Sequence, residues 1–133
     1  MLLVRQFRLP AGQVLLEIPA GTLDRDADGT TEDPEHAARR ELEEETGMRA
    51  GTWERVGAWY SAPGFTEELM HLFFATDLTP AGEGRLTPDH DEHLLLDRRP
   101  WRDAVAAAER GEIVDGKSII GLFWLARWHE AAG

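Results

Sequence analysis

Short apolar blocks alternate along this chain with longer polar stretches, and the spacing inside each block predicts an element. Residues 2–7 and 14–18 read as strands, the second bounded by Gly12 and by Pro19-Ala20-Gly21. Residues 22–33 are polar and rich in Asp, Thr and Gly, so they read as a loop. A helix follows with full punctuation: Asp33 as N-cap, Pro34 in the first turn, Glu35 at the positive end of the dipole, and Gly47 as the stop. Residues 52–60 and 70–78 alternate like strands. Residues 79–92 read as a long polar loop and 93–96 as a short strand. Two helices close the chain, at 103–110 and 118–129, the last with Trp124 and Trp128 four residues apart. Strands and helices mix without strict alternation, which predicts an α+β fold in one domain over residues 1–133.

Composition narrows the chemistry. Hydrophobic residues make up 42%, enough for a packed core, and no apolar run is long enough to span a bilayer. The N-terminus lacks a signal-peptide pattern, so a cytoplasmic protein is expected. There is no cysteine, which excludes disulfides, thiolate nucleophiles and Fe–S clusters. The histidines have no zinc-site spacing. With 14 basic against 25 acidic residues the net charge is −11. Such a chain repels nucleic acids and phosphorylated ligands unless a cation lies between them.

The helix carries the carboxylates for such a cation. At about 100° per residue, Glu41, Glu44 and Glu45 fall within roughly one 100° arc, while Glu43 points away. An oxygen-only set of this kind suits Mg²⁺, with Mn²⁺ as a substitute. The same residues also suit a solvated face with Arg39–Glu43 and Arg40–Glu44 ion pairs, and the helix alone does not decide between the two.

Arg40-Glu41-Leu42-Glu43-Glu44-Glu45-Thr46-Gly47-Met48 resembles the core of the Nudix box, with Glu32 at its earlier glutamate. The glycine the box places at position 26 is Asp26 here. Gly21 stands in its place, which amounts to a five-residue insertion. Leu3-Val4-Arg5-Gln6-Phe7-Arg8, Glu17-Ile18-Pro19-Ala20-Gly21 and Ser61-Ala62-Pro63-Gly64-Phe65-Thr66-Glu67-Glu68 resemble the ADP-ribose pyrophosphatase branch, as does Gly111-Glu112-Ile113-Val114-Asp115-Gly116-Lys117-Ser118.

The resemblance implies an α/β/α sandwich with a mixed sheet, short of some N-terminal strands. It implies Mg²⁺-dependent cleavage of ADP-ribose to AMP and ribose 5-phosphate. The metal ligands it implies are Glu41, Glu44, Glu45, the carbonyl of Ala20, and Glu92. Glu44, Glu45 and Glu92 are the catalytic residues, with Glu92 favoured as general base over Asp91 and His90. Arg8, Pro63 and Glu68 are expected at the substrate. The alternatives are a sugar nucleotide, a dinucleoside polyphosphate or an oxidised nucleotide as substrate, or a non-catalytic module that binds ADP-ribose or calcium. A homodimer is expected, because the edge of the first strand would otherwise be bare. The five tryptophans are read as core or interface.

A second pattern lies in the insertion. Asp24-Arg25-Asp26-Ala27-Asp28-Gly29, with Glu35 at the last position, matches an EF-hand loop. No helix precedes it, and Pro34 and Glu35 already serve the acidic helix, so tight calcium binding is not expected.

Overall fold

The structure is a computed structural model and describes residues 1–87 and 94–133. Its strands are β1 (Leu2–Arg8), β2 (Gln13–Glu17), β3 (Met48–Tyr60), β4 (Leu69–Pro80) and β5 (Leu95–Arg98). Its helices are α1 (Pro34–Thr46), α2 (Trp101–Glu109) and α3 (Gly116–Ala132). The class is α+β, as expected. The strands form two sheets, one in the order β2-β1-β5 and the other a β3-β4 hairpin, and their pairings are antiparallel.

The β1–β2 hairpin turns through a short 3₁₀ segment, Leu9–Ala11, that ends at Gly12. Leu3 and Leu16 project from its sheet into a cluster with Ala104 and Ala107 of α2, Ile113, and Leu122 of α3. Small alanines on α2 let that helix lie close to the sheet, and burial of the larger aliphatic side chains supplies the main driving force. Helix α1 begins where its caps predict: the Asp33 side chain accepts the His36 N–H, and Pro34 occupies the first turn. It stops at Gly47, whose φ of 68° suits glycine and whose N–H donates to Glu43 O at 2.8 Å.

Several boundaries differ from the sequence reading. The left-handed turn at Gly47 leads straight into β3 at Met48, so the hairpin is longer than its apolar alternation. Its polar end is held by cross-strand pairs from Met48–Pro80 onward and by the Thr52 hydroxyl on Asp77 at 2.6 Å. β5 runs to Arg98 instead of ending at Leu96. Pairing with residues 2–5 of β1 carries Asp97 into the strand, where it meets Arg5 at 2.8 Å and Arg99 at 2.7 Å. Helix α2 starts at Trp101, directly after Pro100, and α3 starts at Gly116 after the N-cap Asp115. The first residue expected in the fifth strand, His93, lies outside the described residues. Among the described residues, no helix is long and apolar enough to cross a membrane.

Candidate active site

Arg40 stands at the centre of the acidic face of α1. Its Nη1 donates to Glu41 at 2.8 Å and to Glu44 at 3.0 Å, so one nitrogen gathers both carboxylates. Its Nε and Nη2 grip Glu32 at 3.1 and 3.0 Å. Nη2 also reaches Thr22 O at 3.1 Å and Asp24 at 3.4 Å, tying residues 22–33 to the helix. The Arg40 guanidinium, helped by the Asp24 N–H and His36, holds the Glu32 carboxyl down at about 2 against the opposing effect of burial. Four carboxylates in turn hold Arg40 firmly in its charged form.

Glu45 is largely buried. Its Oε2 accepts the N–H of Ala20 at 3.0 Å. The carboxylate of Glu41 lies over Gly21, where an added Cβ would fall 1.8 Å from Cδ. Ala20 and Gly21 are thus packed against two of the three arc carboxylates. Only glycine leaves room there for Glu41. We expect Gly21→Ala to keep the fold, since the atoms it displaces end a flexible side chain, but to shift Glu41 out of the arc. Calorimetric titration with Mn²⁺ checks this: weaker binding at an unchanged melting temperature is expected, and unaltered affinity would contradict it.

Glu43 points away from the arc, as its spacing predicts, yet it is also buried. The Arg39–Glu43 pair of the solvated-face reading is not formed. Glu43 instead takes a fork from Arg49 at 2.8 Å and the N–H of Leu86 at 3.0 Å, which together hold its carboxyl down at about 2. Arg39 pairs with Glu35 at 2.7 Å and lies over the Trp53 ring. Glu35, the last position of the EF-hand pattern, is therefore engaged within α1. The aspartates before it close a small turn, with Asp26 N–H on Thr30 O and Glu32 N–H on Asp24 O. Among the described residues, no three acidic or histidine side chains converge as a ready-made cation cage.

Beside Ala20, Gly21 and Glu41 opens a cleft of about 470 Å³. Trp53, Trp59, Trp101 and Trp128, all partly buried, border it, so four of the five tryptophans line the cleft. Trp124 is exposed. His71 borders the cleft too, and its Nδ1 is buried without a partner among the described residues. Glu68 lies on the same cleft, whereas Pro63 sits outside it in the exposed β3–β4 turn. Arg8 is also absent from the cleft wall. It forks onto the buried Glu17 with contacts of 2.7 to 3.2 Å, and it feels the charge of Glu45. Glu92, Asp91 and His90, the expected sources of the general base, lie outside the described residues.

Residues 1–119 match the family model described as NUDIX domain. The chain belongs to the Nudix family. This Nudix chain is 37% identical over 125 residues to the ADP-ribose pyrophosphatase of Bacillus subtilis (strain 168), which covers 94% of the chain and 64% of that protein. It is 36% identical to the ADP-ribose pyrophosphatase of Mycobacterium tuberculosis, over 90% of the chain and 56% of that protein. It is also 37% identical to the GDP-mannose pyrophosphatase of Enterobacter sp. (strain 638), over 94% of the chain and 65% of that protein. The Nudix chain thus spans less than two thirds of the length of these curated relatives. The solved structure of an ADP compounds hydrolase superposes with a TM-score of 0.85 at 25% identity, covering 99% of this chain and 67% of that one.

Three features of this Nudix site escape the motif. Glu17 is a carboxylate with 2% exposure at the end of β2, and its position just before Ile18-Pro19-Ala20-Gly21 is its only sequence signal. Ser118 and Lys117 meet this region from the far end of the chain. The partner of Glu43 is divided between Arg49 and a backbone N–H after β4, which no helical spacing encodes.

Proposed function

We propose that this chain hydrolyses a nucleoside diphosphate linked to a second moiety, that the substrate is ADP-ribose, and that the products are AMP and ribose 5-phosphate. The observation that carries the reading is the packing of Glu41 on Gly21 and of Glu45 on the Ala20 N–H, where Ala20, Gly21 and Glu41 border the aromatic cleft. The donor set is oxygen-only and fits a hard divalent cation, Mg²⁺ or Mn²⁺, held by Glu41, Glu44, Glu45 and the Ala20 carbonyl. Such a cation neutralises the diphosphate and makes a bound water more acidic. Arg40 keeps Glu41 and Glu44 together at neutral pH, which offsets their mutual repulsion. A carboxylate takes the proton of the attacking water, and Glu92 remains our assignment for it. Arg8, Pro63 and Glu68 remain the proposed substrate contacts; Glu68 is supported by its place on the cleft.

The names of the relatives divide between ADP-ribose and GDP-mannose, and this favours a second reading in which the same chemistry acts on a sugar nucleotide. Turnover of a substrate panel with Mg²⁺, with products separated by chromatography, decides between them. AMP from ADP-ribose is the expected result. Efficient cleavage of GDP-mannose with ADP-ribose untouched would replace the substrate and leave the chemistry standing. Binding of ADP-ribose without any turnover would favour the non-catalytic module.

The proposal includes a homodimer acting in the cytoplasm. The bare edge expected of the first strand is not there, since β1 lies between β2 and β5. The support is exposed apolar surface instead: Ile120, Phe123 and Trp124 share one face of α3, and Phe7 pairs across strands with the similarly exposed Val14. Light scattering is expected to give twice the chain mass; a folded monomer at micromolar concentration would refute it.

A further inference from the structure

The segment that carries Ala20 and Gly21 is tied at both ends. Ala20 is held by Glu45 of α1. Two residues earlier, the Ile18 N–H donates to the hydroxyl of Ser118 at 2.9 Å, linking β2 to the first turn of α3 across one hundred residues of sequence. Ser118 has no exposed surface. Its hydroxyl proton goes to Asp115 Oδ2 at 2.5 Å, which leaves an oxygen lone pair aimed at Ile18. The same Asp115 oxygen accepts the Ser118 N–H at 3.1 Å and Lys117 Nζ at 2.9 Å. Lys117 also approaches Glu17 at 3.5 Å, so the residue before Ile18 is held as well. One turn along α3, Gly121 lets the helix close on Ile18: a Cβ there would lie 3.3 Å from Ile18 Cδ1. Between the two tethers stands Pro19, with its φ fixed and no N–H to donate.

We propose that Ser118 is a positioning residue for the carboxylate face of α1: by holding the Ile18 N–H it fixes the backbone of residues 18–21, and through it sets Ala20 against Glu45 and Gly21 beneath Glu41. The inference rests on the metal reading above for its functional consequence. Its structural content is independent of that reading. Ser118 touches no reacting group. It acts through a stretch of backbone whose middle residue cannot bend freely, so loss of the hydroxyl is felt two residues on.

The test uses Ser118→Ala beside Ala107→Gly, which loosens the same core from α2 and removes no bond to residues 18–21. Two quantities are read: amide exchange at Ala20 in metal-free protein by NMR, and Mn²⁺ affinity from the free-ion EPR signal. In Ser118→Ala, Ala20 exchange is expected to rise about tenfold and Mn²⁺ affinity to fall by about the same factor, with neither change in Ala107→Gly. If Ser118→Ala does not fold, Asp115→Asn carries the same measurements, since it keeps a capping side chain and removes the charge that orients the hydroxyl. Unchanged Ala20 exchange, or equal acceleration in Ala107→Gly, overturns the proposal. Mn²⁺ binding that survives Glu45→Gln undiminished overturns the metal reading instead, while the exchange result still decides the role of Ser118.

Discussion

Glu45→Gln and Glu44→Gln should each lower kcat by at least about 10²-fold, a loss of roughly 2.7 kcal/mol in transition-state stabilisation. Their folded states should change little. Glutamine keeps an oxygen for the Ala20 N–H at position 45, and at position 44 it keeps an acceptor for Arg40. What each variant loses is a negative charge beside Glu41, which borders the cleft. Steady-state kinetics with Mg²⁺, paired with thermal melts, provide the check. Near wild-type turnover in both variants would remove the acidic face of α1 from catalysis. A collapse of melting temperature parallel to the loss of activity would mean that the buried contact of Glu45 is structural first.

Arg40→Met should have the largest effect on stability. One guanidinium holds Glu32, Glu41 and Glu44 and lies near Asp24, so its removal leaves these carboxylates facing one another. Breaking a fully buried pair costs about 3–5 kcal/mol, and the partial access of water here reduces the expected loss to about 2 kcal/mol. The loss should depend on pH. The Glu32 carboxyl is lowered from 4.5 to about 2, so its contribution is complete above pH 4.5 and disappears as pH falls towards 2. Urea unfolding of wild type and variant at several pH values should therefore give a gap that is widest near neutrality and narrows below pH 4.5. A constant gap would show that Arg40 stabilises by packing its stem and not by its charge.

Much of α1 was legible in the sequence because its determinants are local. Asp33, Pro34 and Gly47 act within a turn of their own positions, and the arc of Glu41, Glu44 and Glu45 follows from helical geometry alone. The boundaries that moved were set by partners distant in sequence. β5 extends to Arg98 because β1 accepts it and because Asp97 finds Arg5, a match across ninety-two residues that no window around position 97 contains. Arg8 is similar: its position in the sequence marks it for substrate, while its fork onto Glu17 depends on the hairpin register that pairs residues 4–8 with 13–17. Which tryptophans border the cleft was not legible for a related reason, since a ring at helical or strand spacing looks the same whether its far side meets packing or open space.

The pairing of β1 also bears on the order in which the chain assembles. Helix α1 carries its own caps, and these are complete once residue 47 has been added. Leu3, by contrast, is buried by Ala104, Ala107, Ile113 and Leu122, and β1 gains its second neighbour only at residues 95–98. During synthesis the local determinants of the acidic helix are therefore complete well before the sheet that orients it. The bond from Ile18 to Ser118 forms among the last. A nascent chain that stops short of α3 would carry the complete acidic motif and still have the Ala20–Gly21 backbone untethered, so competence at this site arrives only with the final elements of the domain.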